Sequence, residues 1–258
     1  MPDVVVVTGD LTQRATAPQF DAAWRFLGSL PAGQLLVQPG NHDIPLWAWW
    51  ERLRRPYGRF QRHFGTDRCP VVDRAWVRVV AADSVAPRRH AGGHLSPREV
   101  ARVAAALDEA QPGPLRIVAL HHPLDGPSAE LFGAQAACRR WAAAGARIVL
   151  SGHAHRASAR WLTGGTHHAG LWAVTGGTAI SRRTRGDEPP SVNLIGPLPD
   201  GDAWLQRWAF DAAGDAFTLR ASTRLPCRGH DRRGGGCLSE AADTTTARQP
   251  MPAGGPAA

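Results

Sequence analysis

Asp3 to Asp10 reads DVVVVTGD. A short continuous apolar run of β-branched residues suits a strand buried on both faces, and the Thr8-Gly9-Asp10 turn ends it by delivering a carboxylate at its C-terminal end. The same construction recurs three times. Leu35 to Gln38 is cut off by Pro39-Gly40 and followed by Asn41-His42-Asp43; Leu115 to Leu120 runs into His121-His122-Pro123; Arg147 to Leu150 runs into Ser151-Gly152-His153-Ala154-His155. Helical periodicity separates these strands, as where Phe20, Ala23, Trp24 and Leu27 fall on one face. Strands alternating with helices predict an α/β fold with functional groups collected beyond the carboxyl ends of the strands.

The intervening segments fill in the pattern. Pro45 to about Phe64 is rich in Trp and Arg and predicts helix, broken at Pro56-Tyr57-Gly58. Trp76 to Ala82 predicts a strand. Ser96-Pro97-Arg98-Glu99 has the form of a capping box with proline at the first helical position, and Leu95 and Val100 are spaced as a hydrophobic staple. A helix is expected over about 128–144, stopped by Gly145. From Leu171 onward the segments turn to short β patterns: 171–174, 192–195, 203–210 and 216–221. The domain is therefore expected to span 1–224. Residues 225–258, with Gly234-Gly235-Gly236, Thr244-Thr245-Thr246 and a Pro/Gly/Ala end, are expected to form a disordered tail.

Of the 258 residues, 43% are hydrophobic and 20% charged, a globular balance that excludes fibrous and wholly disordered classes. No apolar run can span a bilayer and the N-terminus lacks signal-peptide features, so a soluble cytoplasmic protein with no membrane partner is expected. The net charge of +8 comes entirely from arginine over acid, with no lysine. The arginines are scattered, which favours a solvated basic surface over a nucleic-acid footprint. Cys69, Cys138, Cys227 and Cys237 show no paired spacing and read as free thiols; Cys227, His230 and Cys237 make a weak zinc candidate.

The four strand-end turns supply Asp10, Asn41, His121, His153 and His155. A carboxylate, an amide oxygen and neutral imidazoles suit a borderline divalent metal such as Mn, Fe or Zn, whereas a Mg or Ca site would be richer in oxygen. Each turn alone is ordinary, and the weight lies in their combination and order.

In that order the turns GD, GNHD, HHP and GHAH resemble those of the calcineurin-like metallophosphoesterases. The wordings VVVTGDLT, PGNHD, ALHHPL and SGHAH are closest to bacterial phosphodiesterases of the class III cyclic-nucleotide and glycerophosphodiester type, and GTAISRRTRGDEPPSVNLI at 177–195 is similar to their later β region. The resemblance covers about residues 2–222. It implies a four-layer sandwich, two mixed β-sheets flanked by helices. It also implies metal-dependent hydrolysis of a small phosphodiester such as a cyclic nucleotide. Phosphoprotein phosphatases are disfavoured, because Asp10 is followed by LTQRA instead of the sequence DRG those enzymes carry, and because the second turn ends in Asp43 where they have Glu.

The family also carries an Asp-x-His motif on an earlier strand, and Met1 stands too close to Asp10 for this sequence to contain it. The expected fold therefore lacks its first strand. Carried over residue by residue, one metal position has Asp10, Asn41, His121 and His153, and the other keeps Asp10 and His155. The expectation is a chain whose natural start lies upstream. The alternative is a short metal- or phosphate-binding protein with impaired catalysis, and a nuclease is a more distant reading. The resemblance assigns His42 to the phosphate and leaving group, with Asp43 orienting it by a hydrogen bond; Asp43 reads equally well as a turn or capping acid.

Other residues have plainer readings. His122 reads as a loop residue beside a ligand, and His63, His90, His94, His167, His168 and His230 as structural or exposed. Trp47, Trp49 and Trp50 suit either an aromatic wall for a nucleobase or helix packing, the commoner fate. Arg182, Arg183 and Arg185 suit either a substrate phosphate or a solvated loop.

Overall fold

The computed structural model describes residues 1–89, 91–109, 114–127, 130–163, 170–180 and 188–227. The DVVVV run forms β1 (Val4–Val7), which pairs in parallel with β2 (Gln34–Val37), Val4 against Gln34 through Val7 against Val37. The crossover between them is α1 (Ala17–Gly28), with Pro18 in its first turn and Phe20 and Leu27 buried. A short 3-10 turn, Asn41–Asp43, follows β2. The 45–64 segment gives α2 (Trp49–Arg54) and α3 (Gly58–Phe64), broken at Pro56 as its sequence predicts.

A six-stranded mixed sheet forms the centre. It contains β3 (Val71–Asp73), β4 (Val77–Ala81), β6 (Leu115–Ala119), β8 (Ile148–Ser151), β9 (Ser158–Thr163) and β10 (Gly170–Thr175). Their order is β3-β4-β6-β8-β10-β9, parallel from β4 to β10, with an antiparallel strand at each edge. Between β4 and β6 lies α4 (Pro97–Asp108), whose cap follows the predicted form: the Ser96 hydroxyl accepts from the Glu99 N–H at 3.1 Å. The Glu99 carboxylate turns instead to Arg102 and to the Asp83 N–H. Just before α4 comes the short strand β5 (Gly93–His94), which pairs in parallel with β7 (Leu131–Phe132); between β6 and β8, β7 precedes α5 (Ala134–Ala143). Gly133, at φ +88°, starts α5 later than the periodicity of 128–144 predicts, because β7 claims Leu131 and Phe132.

Alternation along the parallel strands builds two cores. Val80, Val118 and Val149 pack with Val103, Leu107 and Trp141 of α4 and α5. Their neighbours Val79, Ile117 and Ile148 face the other way, onto Leu36 and onto Ala203, Leu205 and Leu225. Those last residues belong to the antiparallel meander of β11 (Ser191–Pro197), β12 (Ala203–Asp211) and β13 (Ala216–Leu225). Beyond β1 and β2, Phe20 and Phe60 join α1 to α3. The layers are thus helix, sheet, sheet, helix, as the resemblance implies, although the second sheet layer comes as a parallel pair plus a meander rather than one mixed sheet.

The domain boundary also shifts. Leu225, expected to open the tail, closes β13 with no exposed surface, and Cys227 is buried as well. Packed structure therefore runs to Cys227, past the expected limit at 224, because the last strand buries its end against the central sheet. Residues 228–258, including His230 and Cys237, lie outside the described residues, as do His90, His167, His168, Arg182, Arg183 and Arg185. No helix among the described residues is long and apolar enough to cross a membrane.

Candidate metal centre

The carboxyl ends of β1, β2, β6 and β8 meet where the two sheet layers face each other. Two contacts fix their approach. The His121 ring sends Nδ1 to the Thr8 carbonyl at 2.7 Å, linking the layers directly. Gly9 and Gly40 pack backbone to backbone: a Cβ on Gly9 would stand 2.7 Å from the Gly40 Cα and 2.7 Å from His121 Nδ1. Gly9 has φ +97°, and Asp10, His153 and His155 follow it into the left-handed region at +56°, +63° and +56°. Non-glycine residues pay for that conformation, and strain of this kind gathers where function dictates side-chain direction. Here it aims three of the candidate side chains off their strand ends.

A carbonyl can only accept, so the contact with Thr8 puts the proton of neutral His121 on Nδ1 and leaves a lone pair on Nε2. That Nε2 lies 3.0 Å from Asn41 Oδ1, 3.2 Å from His153 Nδ1 and 3.4 Å from Asp10 Oδ1. His153 Nδ1 is in turn 3.0 Å from Asn41 Oδ1. Asp10 Oδ1, Asn41 Oδ1 and His121 Nε2 thus turn lone pairs toward one point, and His153 Nδ1 joins them in the tautomer that carries its proton on Nε2, so that a shared cation makes all four contacts attractive. Ligands held about 2.1 Å from one ion stand roughly 3.0–3.4 Å apart in octahedral or tetrahedral coordination. The donor set and its spacing therefore fit a divalent metal.

His121, His122 and His153 also bring ring nitrogens within 4.8 Å of one another. Both nitrogens of His122 are engaged, however. Nε2 donates to the Ala91 carbonyl at 3.0 Å, so Nδ1 accepts from the Ser84 hydroxyl at 2.9 Å. Burial pushes its pKa down to about 2, and the neighbouring His121 and His153 add to the shift. His122 sits in the loop after β6, but as a packed part of the site rather than a plain surface residue. Fully buried, its ring packs 4.8 Å from that of His121 and 4.6 Å from that of His153, walling both in place.

Asp43 follows its capping reading, as the acid that caps the Asn41–Asp43 turn at Gly40, and not the orienting one. It has no exposed surface, and its carboxylate accepts from the N–H groups of Leu11 (3.1 Å), Thr12 (2.8 Å) and Gly40 (2.8 Å) and from the Thr12 hydroxyl (2.9 Å). Burial and the charge of Asp10 push its carboxyl up to about 7, against the pull of these donors. The expected Asp43–His42 hydrogen bond is replaced by a clamp between the Asp10 and Asn41 loops. The His42 ring is held by the Gln13 carbonyl instead, at 3.0 Å from Nδ1, and its backbone N–H donates to Asp10 Oδ1 at 3.0 Å. His155 lies two residues past His153, with Nδ1 2.8 Å from the Thr178 hydroxyl.

A pocket of about 320 Å³ opens beside this cluster, lined by Gln13, Arg14, Asn41, His42, Ile44, Leu46, Trp47 and Arg52. Two of its residues thus belong to the strand-end turns themselves.

The family model of the calcineurin-like phosphoesterases matches residues 1–157, more than half of the chain. The chain belongs to that family. The match contains every candidate residue from Asp10 to His155 and ends before β9. Calcineurin-like phosphoesterases are metal-dependent hydrolases of phosphoesters. No curated protein matches the sequence. Neither Asp43's bonds to Leu11 and Thr12 nor the enclosure of His122 has a local sequence signal, since both depend on partners some thirty or more residues away.

Proposed function

We propose that this chain hydrolyses a small phosphodiester, such as a cyclic nucleotide, at the cluster of Asp10, Asn41, His121 and His153. The observation that carries the reading is the convergence of four metal-ligating side chains beside a pocket that two of the turn residues line. A divalent metal of the Mn, Fe or Zn class, when bound, supplies positive charge to the phosphoryl oxygens and lowers the pKa of water.

The remaining work falls to the chain itself. Thr8 fixes the His121 tautomer so that Nε2 is always available as a ligand. Asp43 holds the Asp10 and Asn41 loops in one register, which sets the spacing of two ligands at once. His42 has Nδ1 donating to the Gln13 carbonyl, so it is the imidazolium form, protonated on Nε2 as well, that donates to the phosphate or hands a proton to the leaving oxygen. Asp10 and His155 stand for the second metal position. The diester specificity rests on the GNHD and GHAH wordings and on the size of the pocket, at the low end of the roughly 300–1,000 Å³ range of small-molecule sites.

The test is hydrolysis of bis(p-nitrophenyl) phosphate and of p-nitrophenyl phosphate by protein stripped with chelator and then reloaded with Mn, Fe or Zn. Metal-restored turnover of the diester above the monoester, lost in His121→Ala, is the expected result. A stripped protein that is as active as the reloaded one would overturn the proposal.

A further inference from the structure

The pocket beside the metal centre has a wall away from Asn41 and His42 that the hydrolytic reading does not use. Its floor is Ile44, 2% exposed, and its rim is formed by Leu46 and Trp47. Trp47 is 82% exposed, the most open tryptophan among the described residues. Packing does not account for it. Trp49 and Trp50 stack on each other at 4.1 Å, and the Arg54 guanidinium covers Trp50 at 4.9 Å, so that pair has partners of its own.

The rim is nonetheless anchored. Arg52 donates to the carbonyls of Pro45 (3.3 Å), Pro87 (2.7 Å) and Arg89 (3.0 Å), which ties the segment carrying Leu46 and Trp47 to the loop after β4. Arg14 also lines the pocket, and its guanidinium has no hydrogen bond or ion pair among the described residues. An aromatic face on a fixed segment, a cation and His42 therefore border one small cavity.

We infer that this pocket binds a planar aromatic group carried by the phosphodiester, with Trp47 as the stacking face and Arg14 drawing in the anion. The inference rests on the phosphodiesterase reading above and deepens it. An exposed indole costs apolar hydration that a stacked ring removes, and aromatic stacking tolerates any flat π-face. The substrate class is thus a nucleoside or aryl phosphodiester rather than a glycerol-type one. Arg14 contributes charge that any phosphodiester feels, so it raises affinity without selecting the aromatic part.

The test uses the full chain loaded with Mn, with Trp47→Ala, Trp47→Phe and Arg14→Ala beside the wild type. Calorimetric titration compares adenosine monophosphate with ribose 5-phosphate, and kinetics compare bis(p-nitrophenyl) phosphate with glycerophosphocholine. Trp47→Ala should weaken adenosine monophosphate binding and lower kcat/KM for the aryl diester by about tenfold, through KM, while leaving the ribose and glycerol compounds within twofold. Trp47→Phe should restore most of the loss, and Arg14→Ala should weaken all ligands alike. Equal binding of adenosine monophosphate by wild type and Trp47→Ala, at unchanged Tm, would overturn the inference. Normal Trp47-dependent binding without turnover of either diester would overturn the phosphodiesterase reading and leave the pocket assignment standing.

Discussion

Replacing Asp43 by Asn separates the clamp from the orienting role that the sequence suggests. The carboxylate gives one oxygen to Leu11 and Gly40 and the other to the Thr12 N–H and hydroxyl. An amide of the same size must turn its NH₂ toward one of these pairs. The less costly choice faces Thr12, whose hydroxyl can accept from the amide and turn its own proton to the His42 carbonyl, 3.2 Å away. The Thr12 N–H is then orphaned in a buried site, at a cost of about 1–3 kcal/mol, and charge-assisted bonds weaken as well. Relief of the repulsion with Asp10 offsets part of this. A net loss of about 2 kcal/mol should lower Tm by about 4–8 °C in a domain of this size. Calorimetric melts of metal-free wild type and Asp43→Asn, with Mn titrations of both, read the effect: Tm and metal affinity should fall together while the pH–rate profile of the residual activity keeps its shape. Unchanged Tm and affinity with a displaced pH–rate profile would refute the clamp and restore Asp43 as the residue that orients His42.

Gly40→Ala should lose metal binding, because its methyl would overlap the Asp10 carboxylate and backbone nitrogen; inductively coupled plasma analysis after gel filtration checks this. Leu225→Ala, at a position expected from sequence to lie in a tail, should cost about 2–4 kcal/mol in chemical denaturation, since the side chain is wholly buried in the core between the sheets. The Cys69 and Cys227 thiols are pushed up by burial to about 12 and about 11, and the Cys138 thiol is raised too, so few are thiolates near neutral pH. Iodoacetamide mapping at pH 8 should therefore label all three far more slowly in the native protein than in urea.

The order of strands and the turns at their ends are legible in sequence because each apolar run is continuous and each is stopped by residues with a physical reason to stop it, as Pro39-Gly40 stops β2 and Gly145 stops α5. Strands without such a run escape notice. β9 reads SARWLT, an edge strand largely open to solvent, and β5 and β7 are two residues each, defined only by their pairing. The candidate ligands announce themselves by residue type, and the structure brings Asp10, Asn41, His121 and His153 within contact of one another. What surrounds them does not announce itself. A buried carboxylate such as Asp43 seeks donors wherever the fold places them, and its donors at Leu11 and Thr12 lie 32 and 31 residues away. Ser84 and Ala91, which lock His122, come from the loop after β4, and nothing near His122 in sequence points to them. Trp47 shows the converse: packing is the usual fate of such a residue, yet the side chain stands open at the pocket rim.

The central claim is that Asp10, Asn41, His121 and His153 share one cation. Crystals of the full chain soaked in Mn or Zn, measured on either side of the metal absorption edge, test it most directly. The account predicts an anomalous peak within coordination distance of Asp10 Oδ1, Asn41 Oδ1, His121 Nε2 and His153 Nδ1, with His122 still bound to Ser84 and Ala91. A peak ligated by His122, or a strong peak elsewhere with these four side chains unliganded, would contradict it.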